Sequence, residues 1–421
     1  MRRRGGSRRV VVTGLGVVAP NGIGQKKFWD ALLTGRSGMS LLQESSIGSL
    51  QVAGLVRDFV AQDHLTSKLV QRTDRMTHFA FAAIHEALED ARLVFEQENR
   101  ACIGLSIANT MGGVDYVLKQ LQNLYTRGPR FMSAYTAIAW LHVSTVGQAA
   151  IHYGVQGYCK TPVNDTVGGL DALGLAYRAI LRGTADVMIA GGCEAFLHPF
   201  VLLILAQQGH CVTSTDLAGY RPFDRRAQGL ILAEGAGICI LEEYEHALAR
   251  GAPIYGEIIG YGQSNDALGL QAPGRDGARY AQALCQALQA ELIEAPDLAY
   301  LSLDGRASIP SDQGEHNALS RLFGSQLPQI PVSVPRTLFG HAYAAAGALD
   351  AIIAFLALKH GQIPPTFNCE QLDERYELNV IRGEAQAIRS RDGERLPDTV
   401  LLGGRGLGGI NVGLALRRFR E

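Results

Sequence analysis

The 421-residue sequence has no CxxC pair, no HExxH run and no spaced Cys/His set, so neither a disulfide framework nor a metal centre is expected. Its seven cysteines (Cys102, Cys159, Cys193, Cys211, Cys239, Cys285 and Cys369) are an odd number in a long chain. They read as reduced thiols serving as small buried hydrophobes. Charge of one sign is missing as well: Lys+Arg 39 against Asp+Glu 40 leaves a net −1 and no basic footprint for nucleic acid. No cleavage pattern follows the basic start Met1–Arg9, so no signal peptide is expected. The longest apolar helix, near Ala344–Leu358, contains Asp350 and falls short of the ~20 residues that span a bilayer. A cytoplasmic protein without membrane attachment is expected. With 47% hydrophobic and 19% charged residues, disorder is excluded. The length suits two to three domains of ~150 residues or one large two-part fold.

What the chain has in excess is glycine, 49 residues, which implies many tight turns and close backbone approaches. Short β-branched runs predict strands over 9–14, 103–108, 186–191, 236–242, 254–261, 298–303, 330–334, 399–403 and 411–417. Apolar residues at helical spacing predict helices over 26–33, 73–93, 113–125, 171–181, 277–292, 311–323 and 342–359. The alternation implies a layered α/β architecture. Both parts run strand–helix–strand–helix, with no linker and no residue-level repeat. Two fused halves are therefore expected, 8–252 and 253–421, with a seam near Ala252.

Several motifs invite chemistry. Gly14-Leu-Gly16-Val-Val-Ala19 fits GxGxxA, but Pro20-Asn21-Gly22 interrupts any following helix and no acid ends a second strand. A glycine-rich turn with close packing is expected there instead of a dinucleotide site. Thr166 stands before a helix, where an oxyanion or lowered-pKa nucleophile would be favoured. Without an adjacent base its hydroxyl is a poor nucleophile, and a capping or packing role is expected. Asp304 follows a strand end, a frequent active-site position in α/β folds, but a turn or a partner for Arg306 fits equally. His341 opens a small-residue helix, with Arg336 five residues earlier placed to hold a carboxylate. The glycine run Gly403–Asn411 reads as a loop and lacks the Lys and Ser/Thr of a nucleotide cradle.

Taken together, these motifs resemble the ketosynthase branch of the thiolase-like superfamily from Val10 to Arg417. The resemblance rests on VVVTGLGVVAPNGIG from Val10, GGLDALG after Thr166, DVMIAGGCEA from Asp186 and RPFD from Arg221. AEGAG from Ala233, FGHAYAAAGALD from Phe339 and the glycine run before Asn411 complete it. It implies a five-layer αβαβα fold built from two similar halves. The family's chemistry uses a cysteine at a helix N-terminus and two histidines. Here Thr166 stands for the cysteine and Asp304 for the first histidine, and only His341 remains. Arg336 replaces the usual lysine, and Arg405 and Leu407 replace the aromatics of the glycine loop. Threonine supplies no thiolate, and a carboxylate at Asp304 would repel an oxyanion.

A degenerate ketosynthase of this kind resembles the chain length factor, or ketosynthase beta subunit, of type II polyketide synthases. The stretches ANTMGGVDYVLKQL (Ala108–Leu121) and YTAIAWLHVSTVGQ (Tyr135–Gln148) carry that likeness, although such factors often have glutamine where Thr166 stands. The resemblance implies a heterodimer with a catalytically complete ketosynthase alpha subunit. That partner would extend a chain with malonyl units carried on the phosphopantetheine of an acyl carrier protein, while this chain binds no cofactor or metal. It also implies tunnel gating by Val114, Val117 and Leu121, which at i, i+3 and i+7 share one helical face; core packing explains the same stripe. Two alternatives stay open: an active condensing enzyme using Thr166 or Cys159, and a purely structural scaffold.

Overall fold

Glycine decides how the first strand packs. In the computed structural model, which describes residues 8–42, 50–270, 274–390 and 396–420, strand β1 runs unbroken over Val10–Ala19. The expected glycine turn is absent. A Cβ on Gly14 would lie 2.1 Å from the Ala87 carbonyl oxygen, and one on Gly16 would lie 1.8 Å from that of Ala83. The glycines are therefore sites of helix-on-strand contact, as the expected close packing requires.

The other strands that matter here are β2 (Ile103–Ala108), β3 (Cys159–Lys160), β4 (Val187–Glu194), β5 (Gly235–Glu243) and β6 (Gly256–Asn265). They continue with β7 (Leu298–Ser302), β8 (Pro331–Ser333), β9 (Asn379–Val380), β10 (Thr399–Arg405) and β11 (Ile410–Arg418). The helices are α1 (Gln25–Thr34), α2 (Arg75–Ala91), α3 (Val114–Arg127), α4 (Ser144–Tyr153), α5 (Gly168–Leu181), α6 (Pro199–Gln207), α7 (Ala278–Gln289), α8 (Ile309–Phe323) and α9 (Ala346–His360).

The strands join in the order β9-β8-β7-β10-β11-β6-β1-β5-β4-β2-β3, with Gly22–Ile23 added on β1. Strands β1 and β6 join through the short antiparallel pairing of Val10–Val12 with Gly256–Ile258. Helix α2 covers β1 and β5 on one outer side, and α7 covers β6 and β11 on the other. Between the two sheet regions lie α5 and α9. This is the five-layer αβαβα arrangement of the thiolase-like fold.

Helix α9 is apolar all round, as a helix buried on every side must be. Thirteen of the fifteen residues of α9, Ala346 to Leu358, are buried. The helical run Tyr343–His360 has the length and hydropathy to cross a membrane, contrary to the expected shortfall, but 89% of it is buried inside the protein. Its one carboxylate, Asp350, is ion-paired with Arg336.

Candidate functional site

The five-layer fold brings Thr166, Asp304, Arg336 and His341 toward one buried centre at the head of α5. Thr166 sits in a 3-10 turn, Asp165–Val167, that precedes the helix. It does not cap α5: the N-cap position is Val167 and no side chain caps it. Instead its hydroxyl donates to the Arg405 carbonyl at 2.8 Å and accepts from an Arg306 Nη at 2.6 Å. Asp165 holds the turn in a left-handed conformation (φ 48°), and its carboxylate accepts the Leu407 N–H at 2.7 Å.

The glycine run is no open loop. Strand β10 continues through Gly403, Gly404 and Arg405, and β11 begins at Ile410, so only a tight connection separates them. Arg405 therefore projects from a strand and is the largest fully buried side chain among the described residues. Its guanidinium reaches Asp304 Oδ2 at 3.1 Å, Glu315 Oε2 at 3.2 Å and the Ser311 carbonyl at 2.6 Å.

Asp304 lies just past β7, as expected, but it is not a bare negative charge. Arg306 Nε donates to its Oδ2 at 3.2 Å, and an Arg336 Nη lies 3.8 Å from its Oδ1. Its own backbone N–H and that of Gly305 donate to Glu315 at 2.8 and 2.9 Å. Arg336 pairs in turn with Asp350, so it does hold a carboxylate. Three guanidiniums (Arg306, Arg336, Arg405) thus face three carboxyl groups (Asp304, Glu315, Asp350), all buried. The expected repulsion of an oxyanion by Asp304 gives way to a different obstacle. Ion-paired side chains fill the buried centre around Asp304.

Burial penalises the charge on Arg405, yet Glu315 and Asp304 more than compensate and keep it ionised. His341 is fully buried; its Nδ1 accepts the Tyr343 N–H at 3.2 Å and its Nε2 has no partner. Burial, with Arg336 and Arg306 nearby, holds its pKa well below the usual histidine value, so the ring is neutral.

The acids of α8 carry no signal in any motif. Buried positions Asp312, Glu315, Ala318 and Leu319 fall at i, i+3, i+6 and i+7. Two carboxylates on the apolar stripe of one helix were the available clue. Asp312 accepts the Phe223 N–H at 2.8 Å, and burial pushes its carboxyl up to about 8. Burial likewise pushes Glu194 up to about 8 and Asp74 up to about 7. Asp74 accepts N–H groups of both Met76 and Tyr116, so it fixes the starts of α2 and α3 together.

These groups give a pH dependence. Between pH 6.5 and 8 the three buried carboxyls give up, Asp74 first, protons that the unfolded chain has already released. His246, raised to about 9 chiefly by its hydrogen bond to Glu242, holds its proton to higher pH than an unfolded histidine. In all four cases the folded state binds more protons, so stability falls as pH rises across this window, by about 1.4 kcal/mol per unit for each proton fully held. The neutral His341, and His78 lowered by burial to about 4, oppose this only below pH 6.5. Thermal denaturation should give a lower Tm at pH 8.5 than at pH 6.5; an equal or higher Tm overturns the assignment.

The expected gating stripe on α3 does not face a single wall. Val114, with Leu118, packs on a cluster containing Phe196, Leu202 and Tyr343. Val117 instead lines an apolar recess of about 480 Å³ with Met132, Ala134, Ala137 and Trp140. Leu121 is half-buried. Cys159 lies in the edge strand β3, and burial raises its thiol pKa, which makes it a weak nucleophile. All seven cysteines are free thiols.

Known proteins share this architecture. The beta-ketoacyl synthase N-terminal domain matches residues 7–247 and the C-terminal domain residues 255–370. The chain is 34% identical to the actinorhodin polyketide putative beta-ketoacyl synthase 2 of Streptomyces coelicolor, over 97% of this chain and 98% of that one. It is also 34% identical to the tetracenomycin polyketide synthase ketoacyl synthase beta subunit of Streptomyces glaucescens, over 97% and 98%. A 3-oxoacyl-[acyl-carrier-protein] synthase 2 from Synechocystis is 33% identical over 98% and 99%. Among solved structures, the ishigamide ketosynthase/chain length factor superposes with a TM-score of 0.90 at 28% identity, covering 99% of this chain and all of that one. A type II polyketide synthase acyl-carrier protein in complex with its ketosynthase gives 0.89 at 29%, covering 99% and 100%. With both family domains matched in order along its length, the chain belongs to the beta-ketoacyl synthase family.

Proposed function

We propose that this chain is the chain length factor of a type II polyketide ketosynthase: a non-catalytic subunit that shapes the product tunnel while a complete ketosynthase alpha subunit condenses. The observation that carries this is the state of position 166. The hydroxyl there is held by Arg306, the Arg405 carbonyl and, at 3.2 Å, the Asp165 carboxylate; it supplies no thiolate, and the Asp165 oxygen beside it already accepts the Leu407 N–H.

A heterodimeric partner suits the surface. Tyr135, Ile138, Trp140, Leu141 and Val143 expose large apolar area along one segment, and Phe200, Leu203 and Ile204 do so on α6. Apolar patches of this kind mark interaction sites. The growing chain would arrive as acyl and malonyl groups on the phosphopantetheine of an acyl carrier protein docked to the pair, and both subunits would work in the cytoplasm. The chain is read as two ketosynthase halves, 8–252 and 253–421. Of the stripe Val114, Val117 and Leu121, Val117 is the residue that would contribute to the tunnel wall from α3, because it lines the apolar recess.

The deciding experiment compares the purified chain with the same chain reconstituted with an intact ketosynthase alpha subunit, each given carrier protein loaded with radiolabelled malonyl groups. Condensation should be absent for the chain alone and robust for the pair. Turnover by the chain alone, with an acyl group mapped to Thr166 or Cys159, favours the second reading, an active beta-ketoacyl-ACP synthase with an unusual nucleophile. That reading has the likeness to 3-oxoacyl synthases in its favour.

A further inference from the structure

We infer that Arg306 is a bolt that closes the head of α5 against carrier-delivered groups, so that restoring a thiol at position 166 does not by itself restore a loading site. This deepens the reading of the chain as a subunit that carries no acyl group. Of the three arginines on Asp304, only Arg306 also reaches position 166. Its Nε donates to Asp304 at 3.2 Å while an Nη donates to Thr166 Oγ1 at 2.6 Å. Arg405 sends its guanidinium the other way, to Ser311 and Glu315, and Arg336 is committed to Asp350. Arg306 and Thr166 are each only 6% exposed, so a group as large as pantetheine reaching position 166 meets the guanidinium first. The bolt is also removable. Without Arg306, Asp304 keeps Arg405 and Arg336, and no carboxylate is left unpaired.

The test uses Thr166→Cys and the double variant Thr166→Cys with Arg306→Ala, each as the full chain without partner or carrier. Labelling of the peptide holding position 166 is followed by mass spectrometry with two reagents, iodoacetamide and chloroacetyl-pantetheine. A neighbouring guanidinium raises the thiolate fraction. That effect is the same for both reagents and cancels in their ratio, whereas obstruction grows with reagent size. Removing Arg306 should raise the pantetheine rate relative to the iodoacetamide rate by about ten-fold, because only the larger reagent needs the guanidinium cleared, at the scale of one charged hydrogen bond broken. Cys239, buried in β5, should stay unlabelled in both variants and so reports an intact fold.

Equal gains for the two reagents, or a single variant that already labels with the pantetheine reagent as fast as the double, overturn the inference. Should the alanine version fail to fold, Arg306→Lys carries the same comparison: it keeps a charge beside Asp304 but lacks the second arm that reaches position 166. No carrier or product assay enters these rates, so their outcome is independent of whether the chain sets product length.

Discussion

Asp304→Ala is expected to remove about 3–5 kcal/mol of folding stability, the usual consequence of deleting one partner from a buried charge cluster. Asp304 receives Arg306 and Arg405 on one oxygen and faces Arg336 across the other. Its removal leaves these guanidiniums in a dry interior with Glu315 and Asp350 alone to balance them. A domain of this kind has about 5–15 kcal/mol in total, so the loss should show as a clear drop in denaturation midpoint. Arg306→Ala should cost less, about 1–3 kcal/mol, because every carboxylate it touches retains another cation. Asp304→Asn keeps the shape and some hydrogen bonds but loses the charge, and should fall between the two. Urea denaturation of the three variants reads the order directly. An alanine variant within about 1 kcal/mol of the parent would show that the cluster is solvated or unpaired, and the account of a filled site would fail with it.

That cluster was only partly legible in the sequence. Asp304, Arg336, His341 and Thr166 stand in motifs, and their departures from the ketosynthase pattern are visible as letters. The replacement of an aromatic by Arg405 is visible too, but the inward direction of its side chain depends on β10 running on through Gly403 and Gly404. Glycine density hides that strand, because the same residues serve turns. Glycine hides β1 in the same way. Glu315 stands in no motif, and its only signal is its place beside Asp312 on the apolar stripe of a helix.

Among the elements, β2 is legible to the residue, because a short apolar run between breakers has few alternatives. Helix α6 is not: PFVLLILAQ offers no polar face, so no period of 3.6 can be seen in it. Helix α4 is missed for a related reason, since its small and β-branched residues neither favour a helix strongly nor mark one face.

Replacing Val117 with tryptophan should shorten the longest polyketide released by the reconstituted pair. The expectation follows from where the side chain stands. Val117 faces the recess of about 480 Å³ bounded by Met132, Ala134, Ala137 and Trp140, and valine leaves that space open. An indole there would fill part of the recess and meet Trp140, removing room for the far end of a growing chain. Folding should be little affected, since the side chain is half-buried and grows into space rather than into packed atoms. Val114 supplies the contrast. It already touches a packed cluster with Phe196 and Tyr343, so Val114→Trp should overpack and cost about 1–3 kcal/mol. The two substitutions, three residues apart on one helix, therefore separate gating from packing: Val117→Trp should change product length at nearly constant stability, and Val114→Trp should lower stability first. Mass spectrometry of products and thermal denaturation of the same preparations decide between them. Unchanged product length with Val117→Trp, in a pair that still assembles and condenses, would remove α3 from the tunnel wall and leave its apolar stripe as packing alone.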